Sequence, residues 1–132
     1  MQEVRGDPDP TLRLYAIIRG DIAMPPGKLA SQAGHAFLDA YLASLSLRPE
    51  IAAAYCEPGG RTKVTLLAPT LNDLLRAKCE AEDAGLPCVL IIDEHHVLPP
   101  FFDGSPIVTA LGIGPARRSE VRRITHRLAL VP

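Results

Sequence analysis

Four short apolar runs, set between segments of helical periodicity, restrict this chain more than any other feature. They are residues 12–19 (Leu-Arg-Leu-Tyr-Ala-Ile-Ile-Arg), 62–68 (Thr-Lys-Val-Thr-Leu-Leu-Ala), 87–92 (Pro-Cys-Val-Leu-Ile-Ile) and 107–113 (Ile-Val-Thr-Ala-Leu-Gly-Ile). The first alternates and then turns continuously apolar, as a buried strand does. The third is apolar throughout, which predicts a central position in a sheet. Gly114-Pro115 ends the fourth, and residues 128–131 offer a fifth, edge strand. Pro25-Pro26 opens a helix, because a proline in the first turn gives up an N–H that has no partner there. That helix runs to about residue 47, where Arg48-Pro49 interrupts it and starts a short second helix ending at 55. Thr70, with Asp73 three residues on, is an N-cap for a third helix that stops at Gly85. A short basic helix occupies 118–125, and residues 97–106 are loop. Strands alternating with helices predict an α/β fold. We expect a three-layer sandwich with a mixed, roughly four-stranded sheet flanked by helices on both faces. The last two main strands lack a helix between them, which permits an antiparallel pair.

Composition narrows the class. At 132 residues, 47% of them apolar, the chain is long enough for one domain with a real core. Residues 1–10 are polar and Pro-rich and read as a flexible N-terminal arm, neither a signal nor a transit peptide; residues 11–132 form the domain. No apolar run is long enough to span a bilayer, so a membrane partner is not expected. Cys56, Cys79 and Cys88 are few, odd in number and widely spaced. That spacing suits reduced thiols in the cytoplasm rather than a disulfide framework or a zinc site. The formal net charge is −1, but it is unevenly distributed. Arg117, Arg118, Arg122, Arg123 and Arg127 crowd the last eighteen residues against one acid, Glu120. On a helix, Arg118 and Arg122 share a face, as do Arg123 and Arg127, and such a strip holds a phosphate backbone without reading sequence. The competing reading is a solubilising tail.

The long helix carries a second pattern. Lys28, Gln32, His35 and Asp39 fall at i, i+4, i+7 and i+11, along one face beside the broad apolar side made by Leu29, Ala33, Ala36, Phe37 and Ala40. Packing asks for the apolar side but not for the polar row. In α/β sheets ligands gather at the carboxyl ends of strands. Arg19-Gly20-Asp21, Asp93-Glu94-His95-His96 and the Gly112–Pro115 turn stand at such ends. A cation at a helix N-terminus suits a phosphate or a developing oxyanion, and a strand-end carboxylate suits a general base. A P-loop is excluded on count: six residues separate Gly20 from Gly27 where four are needed, and Leu29 stands where Ser or Thr should. No GxSxG elbow is present. Asp93, Glu94, His95 and His96 are metal-ligand types, but adjacent histidines on extended backbone diverge and no HExxH frame exists, so no metal is expected.

Taken together, these residues resemble the type II peptidyl-tRNA hydrolases, the archaeal and eukaryotic type with bacterial relatives. The likeness rests on Gly27-Lys28 and Lys28-Leu-Ala-Ser-Gln-Ala-Gly-His-Ala36, on Gly85-Leu-Pro87, on the strand ending at Asp93, on Pro99-Pro100 and on Thr109-Ala-Leu-Gly-Ile-Gly-Pro115. It spans about residue 12 to the C-terminus. What it implies is hydrolysis of the ester between peptide and tRNA, without metal or cofactor, by a protein that is commonly a homodimer. The family's lysine and aspartate carry over onto Lys28 and Asp93, and its helix Gln and His onto Gln32 and His35.

One departure stands out. After the strand-end aspartate the family usually has Ala-Gly-x-Thr, and that threonine is implicated in catalysis. Here Glu94-His95-His96-Val97 follows, one residue shorter before the proline pair, and the hydroxyl is missing. His95, His96 or, from the next strand, Thr109 is left to take its place. The expectation is therefore as follows. Asp93 activates water, Lys28 stabilises the oxyanion or the terminal phosphates, His35 and Gln32 position them, and a loop histidine supplies the leaving group's proton. Arg117, Arg118, Arg122 and Arg123 hold the acceptor stem. The alternative is a non-catalytic tRNA- or protein-binding homologue that kept the fold and lost the threonine. A metal-dependent hydrolase centred on His95 and His96 is a third reading, from another class.

Overall fold

In the computed structural model, which describes residues 11–132, the chain runs β1 (Leu12–Arg19), α1 (Pro26–Leu47), α2 (Pro49–Tyr55), β2 (Thr62–Ala68), α3 (Leu71–Asp83), β3 (Cys88–Asp93), β4 (Val97–Leu98), β5 (Phe102–Asp103), β6 (Ile107–Arg117), α4 (Arg118–Thr125) and β7 (Ala129–Leu130). The expected N-terminal arm lies outside the described residues. The main sheet has five strands in the order β3-β6-β1-β2-β7. β1 and β2 are parallel, and the β1–β6, β3–β6 and β2–β7 pairs are antiparallel. The mixed sheet, the helix boundaries and the fifth strand agree with the periodicity of the sequence. Thr70 caps α3, accepting from the Asp73 N–H while Asp73 accepts from the Thr70 N–H, so two donors at the helix start are satisfied.

Alternation along β1 builds the two cores. Tyr15 and Ile17 face α3 and α4, meeting Leu74, Ala77, Ala81, Val121 and Ile124. Leu14, Ala16 and Ile18 face α1 and α2, meeting Ala33, Ala36, Ala40 and Tyr55. The result is three layers. One ion pair fastens them, Arg48, between α1 and α2, reaching Glu120 of α4 at 2.9 Å, and a second, Arg127 with Glu80, ties the segment after α4 to α3 on the same face. Burial pushes the Tyr55 phenol up to about 12, and its hydroxyl donates to the Thr62 carbonyl at 3.1 Å, which fixes α2 to the start of β2.

Two strands differ from expectation. β3 is not central but the edge of the sheet, bonded among the described residues only to β6. Its apolar run has another cause: Val89 and Ile91 pack toward α1, while Cys88 and Leu90 pack toward α3. Both faces are covered although one edge is open. β6 does not stop at Gly114-Pro115 but continues to Arg117. Gly114 adopts φ +106°, a region open to glycine, and the β1–β6 register shifts there between Arg13 and Tyr15, so the strand passes the proline through an irregularity.

α1 lies very close to the sheet at Gly112. A Cβ built there would stand 2.1 Å from the Ala36 carbonyl oxygen and 3.1 Å from the Ala40 Cβ. Gly112→Ala must therefore push α1 outward. The expected cost is about 3 kcal/mol, seen as a drop in Tm of about 10 °C in a calorimetric scan. An unchanged Tm would mean that the helix does not rest on this glycine.

Candidate active site

The carboxyl ends of β1 and β3 and the first turn of α1 converge at one corner of the molecule. β1 ends at Arg19, whose guanidinium donates to Asp21 at 2.8 Å and to the Val108 carbonyl at 3.3 Å. The hydrogen bond from Arg19 holds the Asp21 carboxyl below the usual carboxylate range. The loop from Gly20 carries the chain to Pro26, and Lys28 then sits in the first turn of α1. Its Nζ donates to Asp93 Oδ2 at 3.0 Å. The two side chains are 11% and 16% exposed, so the pair is shielded but open to solvent. An ammonium from the long helix and a carboxylate from a strand end thus meet in one cleft.

The segment after Asp93 completes the group. β4 and β5 pair as a small hairpin, Val97 opposite Asp103 and Leu98 opposite Phe102, where the sequence led us to expect loop. His95 takes φ +68° and its N–H donates to the Gly104 carbonyl at 2.8 Å, closing the hairpin base. Hydrogen bonds from Ser105 hold the Asp103 carboxyl below its ordinary value and tie down the second strand. The hairpin delivers two groups to Lys28. His96 Nδ1 is 2.6 Å from Nζ, and the Phe102 ring, itself 1% exposed, lies with its centroid 4.3 Å from Nζ. An ammonium only donates, so Nδ1 accepts and the imidazole proton is on Nε2. Lys28 is held by a carboxylate, an imidazole lone pair and a ring face together. Nothing in sequence spacing singled out Phe102; only its cross-strand pairing with Leu98 brings it here.

The remaining predicted residues divide into four groups. Gln32 and Thr109, expected to bind substrate, are 5% and 0% exposed and bonded to each other at 2.5 Å. A buried hydroxyl cannot touch a substrate, so this pair forms the floor instead. The reason is a β-bulge: Ile91 pairs with Ala110 and Ile92 with Val108, which leaves Thr109 as the extra residue, turned toward α1. His35 is exposed and lies away from the Lys28 contacts. It lines, with Gln32, Asp39 and residues Leu90 to Asp93, a groove of about 390 Å³ leading out of the cleft. The row on α1 is therefore real, and it forms the wall of that groove. His95 points outward, 85% exposed, toward Glu94. Among the described residues no three His, Cys, Asp or Glu side chains stand close enough to share a metal.

Arg117, Arg118 and Arg122 are not at this corner. β6 is antiparallel to β3, so Ile107 stands beside Asp93 while Arg117 stands beside Leu12. Ten strand steps separate the arginines from the cleft, roughly 30 Å. There Arg118 lines a second hollow with Arg13, Tyr15 and Thr125. Burial raises the Tyr15 phenol above its usual value, against the opposing pull of the two guanidinium charges.

The family model described as peptidyl-tRNA hydrolase PTH2 matches residues 12–131. Among relatives, a peptidyl-tRNA hydrolase of Methanococcus vannielii is 36% identical over 117 residues, 87% of this chain and 95% of the relative. One from Halobacterium salinarum is 40% identical over 113 residues, covering 85% and 93%. One from Methanocaldococcus jannaschii is 30% identical over 121 residues, covering 91% and 100%.

Proposed function

Since this chain belongs to the peptidyl-tRNA hydrolase PTH2 family, and so hydrolyses the ester of peptidyl-tRNA, we propose that Lys28 and Asp93 carry out that hydrolysis, with His96 positioning the lysine. The observation behind the assignment is the contact of the Lys28 ammonium with both Asp93 and His96 in a cleft open to water. Asp93 Oδ2 is engaged by Lys28, and Oδ1 receives a proton from the attacking water. The water oxygen bonds to the ester carbon, and the carbonyl oxygen becomes an oxyanion facing the third N–H of Lys28. Collapse breaks the bond to the ribose oxygen, which takes up the proton from the Asp93 carboxyl. Peptide acid and free tRNA leave. His96 and Phe102 are positioning residues that keep the ammonium aimed, and the Gln32–Thr109 pair ties α1 to β6, with the Thr109 hydroxyl 3.4 Å from the Ile91 carbonyl of β3.

In this reading His96 compensates for the missing family threonine, which removes the ground for a non-catalytic homologue. Residues 11–132 act as the hydrolase domain, and among the described residues no helix is long and apolar enough to cross a membrane. The setting is the cytoplasm, which suits three free cysteines. A homodimer is supported by Leu38, Leu42 and Leu45, which stand about half exposed along the outer side of α1. Arg118 and Arg122 contact RNA phosphates well away from the terminus, so they grip a stem rather than the reacting end.

Steady-state hydrolysis of labelled peptidyl-tRNA tests these roles. His96→Ala is expected to lower kcat roughly 10- to 100-fold, because Lys28 loses its second partner, with KM nearly unchanged. Full activity in that variant would return the histidine to the status of a loop residue. Arg118→Ala/Arg122→Ala should instead raise KM and reduce the slope of log KM against log salt by about 1.5, with kcat intact. An unaltered salt slope would show that this end of the protein does not meet RNA.

A further inference from the structure

The groove beside the cleft has an unusual wall. Leu90, Ile91, Ile92 and Asp93 all line it, opposite Gln32, His35 and Asp39. Successive side chains of a strand point to opposite faces. Four consecutive residues reach one groove together only through what they share, the main-chain edge. β3 is bonded to β6 on one side, and among the described residues no strand pairs with the other. Exposed edges are ordinarily blunted by Lys, Pro or a covering segment. Residues 88–93 (Cys-Val-Leu-Ile-Ile-Asp) contain neither residue, and Ile92 is 54% exposed. An open edge, apolar from Cys88 to Ile92, thus runs directly into the reaction centre.

We infer that this edge receives the peptide part of the substrate as an added strand. The inference rests on Lys28 and Asp93 being the reaction centre. With the ester carbonyl at Lys28, the C-terminal residue of the peptide lies beside Asp93 and the preceding residues extend back toward Cys88. Their N-to-C direction then matches that of β3, so the added strand is parallel. From Leu90 to Asp93 the edge spans about 10 Å, room for roughly three peptide residues. Main-chain pairing is indifferent to side chains, as an enzyme that must accept any peptide requires. It also separates peptidyl from aminoacyl esters, because a lone amino acid has no peptide group to offer the edge. The exposed His35 and the half-buried Asp39 border the opposite side without closing it.

The test uses the full chain and stable analogues in which an amide replaces the ester on the tRNA, carrying an acetylated amino acid, a tripeptide or a pentapeptide. Fluorescence anisotropy reads the Kd. The structure leads us to expect Kd to fall about tenfold from one residue to three and then to level off. N-methylation of the peptide nitrogen that faces β3 should return Kd to the one-residue value. N-methylation of the neighbouring nitrogen, which faces away, should leave it unchanged, and replacing side chains should matter little. A Kd that ignores length, or N-methylation that acts equally at both positions, overturns the proposal. So does a β3 edge occupied by a second copy of the chain, which would give the same flat series. Lys28→Met keeps the readings apart: it should slow ester cleavage about 10²- to 10³-fold yet preserve the length dependence of Kd. Cleavage at the parent's rate in that variant would instead overturn the assignment of the centre.

Discussion

Asp93→Asn lowers kcat on peptidyl-tRNA by about a thousandfold while the protein remains folded. The substitution is chosen to change little else. An asparagine carbonyl still accepts from Lys28, whose Nζ stands 3.0 Å from Oδ2, so the corner keeps its shape. What disappears is the carboxylate that takes the proton from water, because an amide has no comparable basicity. KM should move by less than a factor of about three, since the edge of β3 and the arginine end are untouched. The measurement is single-turnover hydrolysis of labelled substrate, with a thermal melt beside it. A variant within tenfold of the parent would remove Asp93 from the base role.

Lys28→Met is the second large effect, with an expected loss of about 10²- to 10³-fold in kcat. Methionine nearly matches the alkyl stem, while the ammonium that stands 4.3 Å from the Phe102 ring centroid and meets the oxyanion is gone. The partner carboxylate is then left without its cation. Because that side chain is 16% exposed and not sealed in the core, water replaces much of the lost pairing, and the stability cost should be about 1–2 kcal/mol. Chemistry and stability are thus affected very unequally. A protein that loses stability heavily while its remaining folded fraction turns over normally would mark the pair as structural.

How much of this was legible beforehand follows from what periodicity encodes. The row Lys28, Gln32, His35 and Asp39 on α1 was readable because a helix repeats its faces, and three of the four do line one groove with Asp93. The position of β3 was not, because an apolar run reports that both faces are covered and says nothing about whether both edges are paired. α1 and α3 cover β3, and its edge stays bare. The bulge that turns Thr109 inward depends on one extra residue in β6 relative to β3, a matter of pairing between distant segments. The choice among His95, His96 and Thr109 likewise needed the hairpin, whose closure through Gly104 sends His95 outward and His96 to Lys28. The arginines stand close together in the sequence, but only the antiparallel run of β6 reveals that Arg117 and Arg118 lie at the far end from the cleft.

The central claim is that Lys28 and Asp93 act as one unit on the ester. The most direct measurement is a double-mutant cycle of kcat/KM for the parent, Lys28→Met, Asp93→Asn and the double variant. Groups that work on the same transition state lose their value together, so the double variant should be about as slow as the slower single variant. Losses that multiply, giving a double variant slower than either by the full product, would contradict the account, because the two side chains would then be contributing independently.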